Sequence, residues 1–179
     1  SALFCLSLYL YSKKIIVEKN DRKCGVLKTL FFAFSIFICC ILSSRLFTYL
    51  SMRSSDSATL DFVTLPQKNV EWLFCWSDFF CAAYSEEVLY RFYFPESILF
   101  FIRNNFSEDK KSNLFSFLSE LIVLLLFAFA HRYAGWFSVF NAAICHVLFR
   151  FMYKKTERLY VCWIVHFLYN ILQLFIICL

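Results

Sequence analysis

The chain has 179 residues, 61% of them apolar and 22% aromatic, with 25 Phe against only two Gly and two Pro. Soluble domains carry about 45 to 50% apolar residues, so this composition, with a mean hydropathy of +0.63, excludes an ordinary soluble domain and predicts a membrane protein. The formal charge of +5 is modest and unevenly spread, which speaks against nucleic-acid binding and for membrane topology.

Few glycines and prolines point to helices rather than turn-rich strands as carriers of the apolar mass. In chain order, Ser1 to Tyr11 is too short to span in helical form and reads as the stub of a longer segment or as an interfacial helix. Ser12 to Lys28 is dominated by Lys and Arg and is expected inside. Thr29 to Leu50 is long enough to span, with Arg45 near its far end where it can snorkel, and Ser51 to Asn69 reads as an outer loop. Val70 to Ile102 is longer than one span needs and is interrupted by Asp78, Glu86, Glu87, Arg91 and Pro95. One long helix, tilted or kinked near the proline, fits it. Arg103 to Asn113 is a second basic loop, Leu114 to His131 a further span, and His131 to Gly135 a short turn. Trp136 to Met152 follows as another apolar segment, then a third basic loop closing at Arg158 and counted from Arg150, then a last helix from Leu159 to Cys178.

Most of the 18 Lys and Arg residues fall in the loops placed inside, which supports the alternation. The expected fold is all-α, a single-domain polytopic helical membrane bundle over residues 1–179 with about five to six transmembrane helices. The nine cysteines lie mostly in apolar runs without CxxC spacing, so neither a metal cluster nor a disulfide framework is expected.

Charge in the third apolar run demands a reason, because an ionised side chain in hydrocarbon costs roughly 2.5 to 3.5 kcal/mol on insertion scales. Glu87 and Arg91 are four apart and stack on one helix face as an ion pair, while Glu86 is turned about 100° away. One carboxylate is neutralised and the other is available. The plain alternative is a structural ion pair that locks two helices together. His166 and Asn170 are also four apart and can both donate to one atom, the geometry of an oxyanion site. Taken singly, each reads equally as an interhelical hydrogen bond worth about 0.6 to 2 kcal/mol. Glu86 and His131 lie at similar distances from the hairpin near Glu108 and can meet, whereas His166 counts nearer the inner face. Either the His131 turn dips into the bilayer or the third helix protrudes. Asp78 reads as packing or as the outer mouth of the site, and Glu96, Glu120 and His146 as interfacial or structural. Ser85 lacks the partners of a serine nucleophile.

Three motifs stand in order on these helices: Glu86-Glu87-x-x-x-Arg91, Phe127-x-x-x-His131 and His166-x-x-x-Asn170. Over a core of residues 70–175 they resemble the CPBP intramembrane proteases, which include type II CAAX prenyl endoproteases and Abi-like bacteriocin-processing and immunity proteins. Phe92 departs from the glycine that many members carry after the arginine. The resemblance implies a glutamic intramembrane endopeptidase in which Glu86 acts with His131 to activate water. By the same resemblance His166 and Asn170 hold the oxyanion, and Glu87 with Arg91 supports the site. It implies membrane lipid and a membrane-associated peptide or protein as partners, either a prenylated CAAX terminus or a leader peptide. No cofactor is expected. A metal mechanism would make Glu86, His131 and His166 zinc ligands; the absence of HExxH and the presence of Asn170 favour the metal-free form. The alternative is a non-catalytic immunity or scaffold protein of the same fold. A proton pathway lacks the symmetric halves common in transporters. The residue bias favours a bacterial plasma membrane, with the endoplasmic reticulum as the alternative.

Overall fold

The computed structural model describes residues 2–17, 25–54, 66–105 and 112–178. It contains seven α-helices: α1 (Ala2–Val17), α2 (Val26–Arg53), α3 (Asn69–Glu87), α4 (Phe94–Asn105), α5 (Ser112–Ala130), α6 (Trp136–Thr156) and α7 (Leu159–Cys178). A π-helix, Val88–Tyr93, joins α3 to α4 without a loop, and a 3₁₀ turn, Arg132–Ala134, joins α5 to α6. The described residues contain no strand, so the fold is all-α.

Among the described residues, four helices are long and apolar enough to cross a membrane: α2, α5 from Asn113, α6, and α7 as far as Ile176. The chain is an integral membrane protein. The expected span from Val70 to Ile102 is not among the four. Its helix is continuous but tripartite, and α3 alone carries Glu71, Asp78, Glu86 and Glu87. Helix α1 runs past the expected Tyr11 to Val17, and α6 runs past Met152 to Thr156. Only Glu157 and Arg158 then separate α6 from α7, with Glu157 in the left-handed region at φ 53°. Arg150, counted with the third basic loop, is instead a helical residue. The stretches 18–24, 55–65 and 106–111, with the hairpin near Glu108, lie outside the described residues.

Lipid tails are as apolar as leucine, so helices in a bilayer associate through close packing and hydrogen bonds rather than hydrophobic burial. Helix α2 follows that rule. Its inward face is small and largely polar, with Thr29, Cys40, Ser43 and Ser44 buried, while Leu30, Phe31 and Phe34 face outward. Ser43 donates to Asn141 Oδ1 at 2.8 Å, Ser44 to Gln173 Oε1 at 2.9 Å, and Asn141 Nδ2 to the Tyr169 hydroxyl at 3.0 Å. These bonds tie α2, α6 and α7 around a core that includes Cys40, Phe149, Met152 and Cys162.

Helices α3 and α7 run side by side in opposite directions, with Trp72 stacked on Phe175 and Phe80 edge-on to Trp163. The Trp163 indole N–H donates to the Phe80 carbonyl at 3.1 Å. This register brings the end of α3, where the two glutamates lie, beside His166. Helix α5 packs between α4 and α6, and Ser119 donates to the Pro95 carbonyl at 2.8 Å. Where the sequence suggests a tilted or kinked helix, a π-helix stands just before Pro95, a feature that often marks functional sites.

Candidate active site

Glu87 and Arg91 are fully buried, each at 0% exposure. Their pairing is double: Arg91 Nη2 donates to Glu87 Oε1 at 3.1 Å, and Arg91 Nε lies 3.1 Å from Oε2 as an ion pair outside hydrogen-bond geometry. The two are one turn apart in sequence, as the spacing predicts. His166 on α7 adds a third contact, its Nδ1 lying 2.9 Å from Glu87 Oε1. A carboxylate held by an arginine only accepts, so His166 Nδ1 carries the proton and Nε2 points away from Glu87. The His166 ring lies over Phe149, with centroids 5.2 Å apart.

Arg91 has more N–H groups than one carboxylate can accept. One further N–H is met by His146 on α6, whose Nδ1 accepts from Arg91 Nη1 at 2.6 Å. The guanidinium also sits 4.9 Å from the Phe127 ring centroid and 5.6 Å from that of Phe149. A buried arginine is thus surrounded by a carboxylate, an imidazole and two aromatic faces.

Glu86 is different. Its side chain is 31% exposed, yet Oε2 is buried and accepts no hydrogen bond from the described residues. That oxygen faces His166 Nε2 at 3.8 Å, too long for a direct hydrogen bond and suited to a shared third atom. Glu87 is thus neutralised by Arg91, while Glu86 Oε2 accepts no hydrogen bond from the described residues.

His131 ends α5. Its Nδ1 lies 2.9 Å from the Phe127 carbonyl, which can only accept, so this histidine too carries its proton on Nδ1 and presents Nε2. Gly135, at φ 89°, closes the turn and starts α6, a conformation that side chains with a Cβ rarely adopt. Glu86 and His131 form no direct hydrogen bond or ion pair within 4.0 Å. They approach through Tyr90, one turn after Glu86, whose ring meets Phe127, one turn before His131, at 4.9 Å. Asn170 lies one turn beyond His166 on α7, half-buried. Glu86, Glu87, Arg91 and His166 therefore come together directly, with His131 and Asn170 outside that contact network.

The described residues contain no group of three His, Cys, Asp or Glu side chains close enough to hold a metal ion. The set Glu86, His131 and His166 does not gather as a three-ligand site, and no step below runs through a metal.

Two participants escaped the motifs. For His146 the sequence suggests an interfacial or structural place, and the signal that points to its contact with Arg91 is the donor surplus of the guanidinium. Arg150 donates to both Glu120 oxygens and, through Nη1, to the Arg91 carbonyl. Its place in a basic run hid it.

The apolar helices and the polar cluster they enclose define a polytopic membrane protein with a buried carboxylate–histidine centre. The family model of type II CAAX prenyl endopeptidases, Rce1-like, matches residues 68–172, more than half of the chain and all three motifs. The chain belongs to that family, intramembrane proteases of the CAAX type whose substrates are membrane-associated proteins. None of the curated proteins or solved structures compared matches the chain.

Proposed function

We propose that the chain is a glutamic intramembrane endopeptidase that hydrolyses a peptide bond of a prenylated CAAX terminus or a leader peptide at the membrane. The observation that carries this reading is the asymmetry of the glutamate pair. Glu87 is held by Arg91 and His166 through hydrogen bonds, whereas Glu86 Oε2 is buried, accepts no hydrogen bond from the described residues and lies 3.8 Å from His166 Nε2.

Glu86 takes a proton from water, and the hydroxide adds to the scissile carbonyl carbon. His131 Nε2 accepts the second water proton as a hydrogen bond. Direct contact is not needed for this, because a water shared by two acceptors sets them about 4.5 to 5 Å apart. His166 Nε2–H and the Asn170 amide donate to the developing oxyanion, a type of contribution worth about 3 to 4 kcal/mol of barrier. Since Nδ1–H is given to Glu87, donation from Nε2 uses the imidazolium, whose charge lies between the two glutamates. The C–N bond then breaks as Glu86 returns the proton to the leaving amine, giving a carboxylic acid and a free amine. The residue bias supports a bacterial plasma membrane over the endoplasmic reticulum.

The test is cleavage of a quenched-fluorescent peptide set, prenylated CAAX peptides and leader peptides side by side, by detergent-purified protein with and without chelator. Cleavage that survives chelator supports the proposal. Loss in chelator returns Glu86, His131 and His166 to the role of metal ligands, and no cleavage of either class moves the chain to a non-catalytic immunity or scaffold protein.

A further inference from the structure

The π-helix holds the last part of the first motif, and a π turn inside an α-helix needs outside support for the backbone groups it misaligns. Pro95 makes the need acute: it has no N–H, so in α-helical register the Arg91 carbonyl loses its partner. Arg150 supplies a donor to that oxygen. The rest of its guanidinium is locked on Glu120, with Nε at 3.1 and 2.9 Å from the two oxygens and Nη2 at 2.6 Å from Oε1. Lys154 adds a second cation to Glu120 at 2.8 Å. One residue before Glu120, Ser119 donates to the Pro95 carbonyl at 2.8 Å, so α5 and α6 together hold both ends of the kink.

We propose that Arg150, held by Glu120, is a positioning residue: by fixing the Arg91 carbonyl it sets the rotation of the helix that presents Glu86 and Glu87 to His166. The catalytic half of this inference rests on the protease reading; the mechanical half does not. Arginine is required because its planar fork grips a carboxylate and a carbonyl at once, which a lysine cannot reproduce.

The experiment compares wild type with Arg150→Lys and with the charge swap Glu120→Arg/Arg150→Glu, each as the full chain in nanodiscs. The swap restores an α5–α6 ion pair but places an acceptor against the Arg91 carbonyl. Thermal unfolding of the swap is expected to return close to wild type, while kcat on the cleaved peptide falls about tenfold or more with little change in KM. Amide exchange in the peptide covering residues 88–94 is expected to quicken about tenfold in both variants. Recovery of both kcat and exchange protection in the swap would reduce Arg150 to a stabilising ion pair and overturn the proposal. So would unfolding of both variants, which would make Arg150 a general fold residue. If wild type cleaves no peptide, the protease reading fails, and the exchange measurement still decides whether Arg150 clamps the kink.

Discussion

Replacing Glu87 by leucine removes an acceptor shared by two donors in a fully buried site. Arg91 loses its carboxylate at 3.1 Å, and His166 loses the acceptor of its Nδ1–H at 2.9 Å. Breaking a buried ion pair by removing one partner costs about 3 to 5 kcal/mol. A stranded buried donor adds about 1 to 3 kcal/mol. Arg91 keeps His146 and the Phe127 and Phe149 faces, which places the sum near the low end, about 4 kcal/mol. For a chain of this size that lowers the unfolding temperature by about 10 °C. Intrinsic fluorescence of the four tryptophans during heating in detergent reports it, with Trp163 packed against α3 as a local probe. The double variant Glu87→Leu/Arg91→Met leaves no charge stranded and is expected to regain at least about half of the loss. A single variant within about 1 kcal/mol of wild type, or a double variant less stable than the single, would refute the reasoning.

Asn170→Ala is expected to lower kcat about 100-fold or more at nearly unchanged KM, because in the proposed mechanism its amide acts only on the oxyanion; steady-state kinetics on the cleaved peptide checks it. His146→Phe removes the acceptor of Arg91 Nη1 and is expected to cost about 1.5 kcal/mol, read by the same thermal assay. Gly135→Val forces a β-branched residue to φ 89°, and is expected to lower both stability and kcat through the turn that carries His131, with limited proteolysis as the check.

Much of the site was legible because its charges lie where lipid makes them costly. The Glu87–Arg91 pair followed from spacing alone, and the turning of Glu86 away from Arg91 from the rotation between neighbours on a helix. The partner of Glu86 was not legible in the same way. Counting residues from a hairpin treats helices as straight and untilted, and the π turn between Glu87 and Phe94 breaks that assumption; the 3.8 Å approach to Glu86 Oε2 comes from His166. Loop bias placed the apolar segments well, and Leu159–Cys178 stands as expected. The same bias assigned Arg150 and the end of α6 to a loop, because basic residues near an inner helix end look alike whether they snorkel or bond inward. The reach of Arg150 across to Arg91 depends on Pro95 freeing a carbonyl, a link between two helices that no single segment contains.

The most direct test of the central claim compares Glu86→Gln with wild type for both activity and stability. Because Glu86 Oε2 accepts no hydrogen bond from the described residues, the amide is expected to leave the unfolding temperature within about 2 °C. Cleavage of the prenylated or leader peptide is expected to fall about 1,000-fold or more, since the proposed proton acceptor is gone. A folded Glu86→Gln protein that still cleaves at a wild-type rate would contradict the account.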